Sequence, residues 1–99
     1  MKGALIDACV ADIAAQLRVA AFHFSDSRRV TAPGWPDWVL IGPRGLLFRE
    51  VKGDGDKLSG EQRAVGYALQ AHGLNWDTWR VDDHFSGRIR REIEAIANG

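Results

Sequence analysis

Two acidic residues and a lysine are the features of this chain best suited to chemistry. Asp37 is followed, after twelve intervening residues, by Glu50-Val51-Lys52. Two apolar segments joined by Gly42-Pro43-Arg44-Gly45 fill the gap, which predicts a β-hairpin. Pairing of Ile41 with Leu46 across the turn would place the two acids directly opposite each other, with Cβ atoms roughly 4.5–5.5 Å apart. Carboxylates that close repel each other unless a proton or a cation lies between them.

An acid pair with a neighbouring ammonium suits a divalent cation and an activated water. Mg²⁺ or Mn²⁺ polarises a phosphoryl oxygen and acidifies water, which is what phosphodiester hydrolysis needs. Asp37 and Glu50 are therefore candidate metal ligands, with the carbonyl of Val51 as a third oxygen. Lys52 would hold the attacking water or the phosphate as a point charge. The competing explanation is an ordinary Glu–Lys pair on a solvent-facing strand, which the apolar character of the hairpin disfavours.

Gln62 is a further candidate catalytic residue, because it begins a helix that should pack on the hairpin. Its amide could bind a phosphate oxygen or a metal-bound water. Ser59-Gly60-Glu61-Gln62 also fits a capping box, which explains a glutamine at this position without any catalytic role. The two explanations are compatible with each other.

Candidate nucleic-acid contacts precede the Asp37 strand. Arg28 and Arg29, with Ser27, could clamp a phosphate, or could belong to a solvated polar loop. His23 could face the site as a phosphate ligand or proton relay, or could be a structural histidine. Trp35 could stack on a base or a sugar.

The hydrophobic pattern predicts an α/β domain with the order α-β-β-β-α-β-α, a mixed sheet and helices packed on it. The predicted elements are a helix over 4–20, strands over 21–24, 36–41 and 46–52, a helix from Ser59 to about His72, a strand over 76–81 and a last helix starting near Asp83 or Ser86. Both hairpin strands are apolar on both faces, so we expect them to be central. Ile89, Ile93 and Ile96 should form the buried stripe of the last helix.

Length and composition favour a single domain over residues 1–99. Thirteen basic residues balance thirteen acidic ones, which argues against a purely electrostatic nucleic-acid coat. We expect no membrane association, because nothing approaches the ~20 apolar residues of a membrane span. The single cysteine, Cys9, cannot form an internal disulfide, which fits a reducing, cytoplasmic location.

These motifs together resemble the PD-(D/E)xK nuclease superfamily, specifically its virus-type replication-repair nuclease (VRR-NUC) domain. The resemblance covers roughly residues 5–83. It is carried by Gly34-Trp35-Pro36-Asp37, Glu50-Val51-Lys52-Gly53 and Leu58-Ser59 with Gln62, flanked by His23, Arg28-Arg29, Ala68-Leu69, Gly73 and Trp79-Arg80.

The resemblance implies a restriction-endonuclease-like core and a metal-dependent DNA nuclease. Asp37 and Glu50 would be metal ligands, Lys52 the catalytic lysine and Gln62 the glutamine of the following helix. Stand-alone members are phage or prophage proteins similar to Holliday-junction resolvases. The resemblance therefore implies a homodimer that acts on branched or flap DNA in a bacterial or phage-infected cell, alone or with a helicase or other replication partner.

The chain departs from the family at the first helix, where the family commonly carries a glutamate near the metal. Gly3 occupies about that position here. Either Asp7 substitutes, or the site has fewer ligands and uses one metal rather than two. The alternative function is a structured-DNA-binding module with weak or no cleavage, acting with a replication or repair partner.

Overall fold

The computed structural model describes residues 2–24 and 33–97 and shows a mixed α/β fold. The elements in chain order are α1 (Lys2–Leu17), β1 (Ala20–His23), β2 (Trp38–Gly42), β3 (Gly45–Val51), α2 (Gly60–Ala71), β4 (Trp76–Trp79), α3 (Val81–Phe85) and α4 (Arg88–Ala97). The predicted order is confirmed, with the short helix α3 added before the last one.

The strands form one mixed sheet in the order β1-β2-β3-β4. β1, β2 and β3 are successively antiparallel, and β4 lies parallel to β3. The predicted pairing of Ile41 with Leu46 is confirmed, and Gly42 also pairs with Gly45, so the turn itself is only Pro43-Arg44. This register places Asp37, just before β2, and Glu50, near the end of β3, next to each other at the same end of the two central strands.

Helices cover both faces of the sheet. On one face α1 and α4 bury the core, in which Ile6 and Val10 of α1 meet Ile89 and Ile93 of α4, all at most 1% exposed. On the other face α2 lies over β4, and Gly66 permits its close approach. A Cβ at Gly66 would lie 2.4–2.6 Å from ring atoms of Trp76.

Several predicted element ends are wrong by two or three residues, including the start of the second strand, which lies at Trp38 rather than residue 36. The first helix ends at Leu17 rather than residue 20, because Arg18 adopts a left-handed backbone with φ 59°. The fourth strand ends at Trp79, and Val81 begins α3. The predicted capping box of α2 is confirmed, with Ser59 accepting from the Gln62 N–H and the Gln62 side chain accepting from the Ser59 N–H.

Within the described residues, no helix combines the length and the apolar character that crossing a membrane requires.

Candidate active site

The two acids of the hairpin lie side by side, as the register predicts. Their carboxyl groups are hydrogen-bonded to each other, and Asp37 Oδ2 also accepts from the Val51 N–H at 2.8 Å. Glu50 is only 4% exposed. Burial first, and then the neighbouring charge of Asp37, raise the pKa of Glu50 from 4.5 to about 8. Glu50 therefore carries a proton at neutral pH whenever no cation replaces it.

Gln62 connects the second helix to the acid pair. Its Nε2 donates to Glu50 Oε2 at 3.0 Å, while its Oε1 accepts from the Ser59 N–H at 2.9 Å. The structure confirms the capping box and shows in addition that the amide contacts Glu50. The role of Gln62 in binding a phosphate or a metal-bound water stays a prediction. The cap fixes the side chain, because each end of the amide has its own partner.

Lys52 lies just beyond β3, close to the acids. Its positive charge lowers the pKa of Glu50, although burial and Asp37 outweigh it. The Lys52 N–H donates to the Trp79 carbonyl at 3.0 Å, so the parallel pairing with β4 holds this backbone in place. The Val51 N–H donates to the Asp37 carboxylate, and this bond orients the carboxylate at the end of the two central strands.

Gly34 sets the distance between the segment before Asp37 and the start of α2. It has φ +92°, and a Cβ built there would lie 2.5 Å from the backbone C and O of Glu61 and 2.9 Å from the N of Gln62. Only glycine permits this approach without displacement. Trp35 packs edge-on against Phe24 and Phe48, each at 6.1 Å between ring centroids. Trp35 is half-buried on the face of the sheet that carries α2.

His23 and Asp7 lie on the other face of the sheet from Glu50. The His23 ring stacks on Trp38 at 4.3 Å, and its Nε2 is 3.5 Å from Asp7 Oδ2. Asp7 Oδ1 accepts from the Trp38 indole at 2.8 Å. Trp38 pairs with Arg49, the residue before Glu50, so its side chain points away from the acids. These contacts agree with the interpretation of His23 as a structural histidine rather than a phosphate ligand. Asp7 bonds to Trp38 and His23, not to the acid pair.

The remaining sequence candidates, Ser27, Arg28 and Arg29, lie outside the described residues. The described ends of that segment, Phe24 and Pro33, flank the acid end of the hairpin, because the Phe24 N–H donates to the Asp37 carbonyl at 2.7 Å.

Sequence reasoning missed a buried charge network directly behind the site. Arg49 is 2% exposed, pairs with Glu92 at 3.0 Å and lies 5.4 Å from the Trp79 ring centroid. Glu92 also accepts from the Trp79 indole at 2.8 Å and from Arg88 at 2.6 Å. The sequence did contain an indication of this network, because Arg49 lies on the core-facing side of an apolar strand and a buried charge needs a partner.

A cleft beside the site carries mostly negative charge. It has a volume of about 620 Å³ and is lined by Asp54, Gly55, Asp56, Thr78, Arg80, Asp82, Asp83 and Arg88. Its arginines are engaged, since Arg80 donates to the Gly53 carbonyl and Arg88 to three carboxylates. An excess of carboxylates repels phosphates, so this cleft is a poor path for a nucleic acid.

The donor set at the acid pair fits a hard, partly hydrated cation. In the part of the chain that the structure describes, no three or more His, Cys, Asp or Glu side chains converge to hold a metal. Two carboxylates do converge, and Mg²⁺ commonly uses one or two and keeps several waters. Burial, the largest cause, and the neighbouring Asp37 raise the pKa of Glu50, and a bound cation would oppose that shift.

Profiles of known protein families, curated proteins and solved structures yield no match to this chain.

Proposed function

We propose that this protein is a divalent-metal-dependent nuclease that hydrolyses phosphodiester bonds in structured DNA, with a PD-(D/E)xK-type site and a restriction-endonuclease-like core. One observation carries the proposal. Glu50 is 4% exposed, yet it contacts a second carboxyl group, that of Asp37, with Lys52 beside it.

This arrangement is difficult to explain as a source of stability. Burial of a carboxyl group against another raises its free energy of ionisation, and apolar residues at both positions would cost the fold less. Strongly shifted carboxyl groups with a specific charged partner are typical of functional sites. A bound cation would replace the proton that Glu50 carries at neutral pH.

Mg²⁺ or Mn²⁺, when bound, would neutralise phosphate charge and supply an acidified water. Asp37 and Glu50 would hold the metal, with the Val51 carbonyl as a further oxygen. The Gln62 amide would keep the Glu50 carboxylate oriented once its proton has left. Lys52 would hold the phosphate or the attacking water as a positive charge.

The substrate and partners belong to the same proposal. The resemblance to VRR-NUC proteins supports branched or flap DNA, a homodimer and a replication or helicase partner. Arg28, Arg29 and Ser27 would contact phosphates, and Trp35 lies on the same face of the sheet as Glu50. His23 would act only indirectly, through Trp38 and Asp7. The free Cys9 supports a reducing, cytoplasmic setting.

Cleavage of labelled DNA tests the proposal. Four-way junction, flap and duplex substrates are incubated with the protein and Mg²⁺, Mn²⁺ or EDTA. We expect cutting of the branched substrates that needs the metal. We expect Lys52→Met to retain Mn²⁺ binding, measured by calorimetry, and to lose about 100-fold or more in rate, as for removal of a charge that stabilises the transition state. Equal cutting by the wild type and Asp37→Asn would refute the assignment.

A second candidate function is binding of structured DNA without cleavage. Asp7 favours it, because this acid of α1 bonds to Trp38 and His23 rather than to the acid pair. Tight junction binding without product, in either metal between pH 6 and pH 10 (about two units on each side of the Glu50 pKa of about 8), would favour this candidate.

A further inference from the structure

The backbone on both sides of the Lys52 side chain is held by the end of β4. The ladder between β3 and β4 ends with the pair of Val51 and Trp79, so Lys52 is the first residue beyond it. The Lys52 N–H still donates to the Trp79 carbonyl at 3.0 Å. One residue further, the Gly53 carbonyl accepts from Arg80 Nη1 at 2.7 Å. Two consecutive residues, Trp79 and Arg80, thus fix the chain just before and just after Lys52.

The Gly53 carbonyl also begins a tight turn. It accepts from the Asp56 N–H at 3.2 Å, and the Gly53 N–H donates to Asp56 Oδ2 at 3.1 Å. Gly55, inside the turn, has φ +78°, a left-handed backbone that suits glycine. These bonds give residues 53–56 a defined shape, but they do not connect the turn to the sheet. The Arg80 guanidinium makes that connection.

Arg80 is itself anchored to the helices that follow it. Its N–H donates to Asp83 Oδ2 at 2.8 Å, and Asp83 Oδ1 accepts from Arg88 Nη1 at 3.0 Å. Arg88 in turn bonds to Glu92 of α4 at 2.6 Å. Arg80 is half-buried, and a hydrogen bond from a charged donor is shorter and stronger than one between neutral groups. The position of the turn, and with it the place where Lys52 leaves the sheet, is therefore set by α3 and α4.

A direct phosphate contact fits Arg80 poorly. Its side chain lines the cleft beside the site, and four aspartates share that lining, Asp54, Asp56, Asp82 and Asp83. An excess of negative charge repels a phosphate. Lys52, by contrast, is close enough to Glu50 for its positive charge to lower the pKa of that acid. Of the two cations, Lys52 is the one placed for chemistry, and Arg80 acts on its backbone.

We propose that Arg80 is a positioning residue for Lys52: by holding the Gly53 carbonyl, its guanidinium keeps the Lys52 ammonium beside the acid pair. This inference rests on the proposed nuclease function, because only that reaction uses the ammonium. A displacement of about 1 Å at a reacting centre can cost a factor of about 100 in rate. Loss of the Arg80 bond frees the end of β3 to move, so turnover should fall while binding of DNA and metal remains.

Steady-state cleavage of flap DNA with Mn²⁺ tests the proposal with two substitutions at Arg80. Arg80→Met removes the donor and keeps the length of the side chain, whereas Arg80→Lys keeps a donor. We expect kcat of Arg80→Met to fall about 10–100-fold, with KM for DNA and Mn²⁺ affinity unchanged, and Arg80→Lys to recover most of the loss. An unchanged kcat, or a raised KM with a normal kcat as for a direct DNA contact, overturns the proposal.

Arg91→Met is the matched control, because Arg91 Nη1 also donates to a backbone carbonyl, that of Ser86, at 3.0 Å. We expect it to keep wild-type kcat and KM. A double-mutant cycle then separates an effect through Lys52 from a general loss of structure. In a Lys52→Met background, Arg80→Met should cost nothing further, within about twofold. The full Arg80→Met loss in that background overturns the proposal.

Amide hydrogen exchange distinguishes failure of this inference from failure of the proposed function. A wild type that cuts no DNA overturns the nuclease function, whereas exchange still measures whether Arg80 holds the Lys52 backbone. We expect the Lys52 and Asp56 amides to be protected in the wild type and Arg91→Met, and to exchange at least about 10-fold faster in Arg80→Met. Unchanged exchange in Arg80→Met overturns the inference. So does a Lys52 amide that exchanges rapidly in the wild type, which decides the matter even if Arg80→Met fails to fold.

Discussion

Glu50 is the residue on which the proposed chemistry depends. Its carboxyl group is buried, bonded to Asp37 and bonded to Gln62. Burial and the second acid together keep it protonated near neutral pH in the absence of a cation. Metal binding to Glu50 at neutral pH would therefore release a proton, whereas an ordinary surface glutamate is already ionised there.

The first prediction concerns stability against pH in EDTA. The folded pKa of Glu50, about 8, lies above its unfolded value of 4.5, so its neutral form stabilises the fold fully below pH 4.5. That contribution is lost as the pH rises through 8. We expect the free energy of unfolding, measured with urea, to fall over this range by on the order of a few kcal/mol.

Glu50→Gln is the control for this prediction, because an amide keeps the shape and does not ionise. We expect its stability to vary much less between pH 5 and pH 8, the range set by the two pKa values. The same slope in the wild type and Glu50→Gln would show that another group is responsible.

At the scale of elements, the hairpin and the capping box could be predicted and their surroundings could not. The spacing from Asp37 to Glu50 and the turn residues between them determine the register. Ser59 and Gln62 specify the start of α2 locally. The partner of Arg49 is 43 residues away on α4, and the contact of Gly34 with Glu61 joins two segments, so neither leaves a local pattern.

Gly34→Ala tests how the chain before β2 positions α2. The new Cβ would collide with Glu61, and the backbone at φ +92° disfavours any side chain. We expect a stability loss of about 1–3 kcal/mol and a loss of cleavage, because the shifted helix separates Gln62 from Glu50. Chemical denaturation and the cleavage assay measure the two effects.

Gly60→Ala is the matched control, since a Cβ there has open space. Gly60 lies in the first turn of α2, beside the Glu61 that Gly34 approaches. We expect it to retain stability and activity. Wild-type activity in Gly34→Ala would show that this approach of the two segments does not position the site.

The Arg49–Glu92 pair tests how α4 supports the strand that carries Glu50. Glu92→Ala leaves Arg49, 2% exposed, without its counter-charge. We expect a loss of about 3–5 kcal/mol in urea unfolding. Glu94→Ala, which breaks the exposed pair with Arg90 at 3.8 Å on the same helix, should cost under about 1 kcal/mol. Equal losses for the two substitutions would contradict a special role for the buried pair.

At the scale of the whole molecule, charge distribution rather than net charge must direct a nucleic acid. The chain is neutral overall, and the cleft beyond β4 is lined mainly by acids. The basic residues of α4 are engaged within the protein, as Arg88 bonds to three carboxylates and Arg90 to Gln16 and Glu94. Arg28 and Arg29, between β1 and β2, stay the proposed phosphate contacts.

Arg28→Ala tests that assignment through salt dependence. We expect weaker binding to every branched DNA tried, and a slope of log affinity against log salt that is shallower by about 0.9 per lost phosphate contact. Fluorescence anisotropy over a salt series measures both effects. Arg90→Ala is the control and should leave the slope unchanged. An unchanged slope in Arg28→Ala would show that Arg28 does not contact a phosphate.

The central claim is that Asp37 and Glu50 bind a divalent cation beside Lys52. Anomalous scattering from crystals soaked in Mn²⁺ above pH 8, where Glu50 has lost its proton, tests it most directly. We predict a Mn²⁺ peak in contact with both carboxylates in the wild type and none in Glu50→Gln. An empty acid pair in the wild type at a Mn²⁺ concentration that supports cleavage, or a peak bound only elsewhere, would contradict the claim.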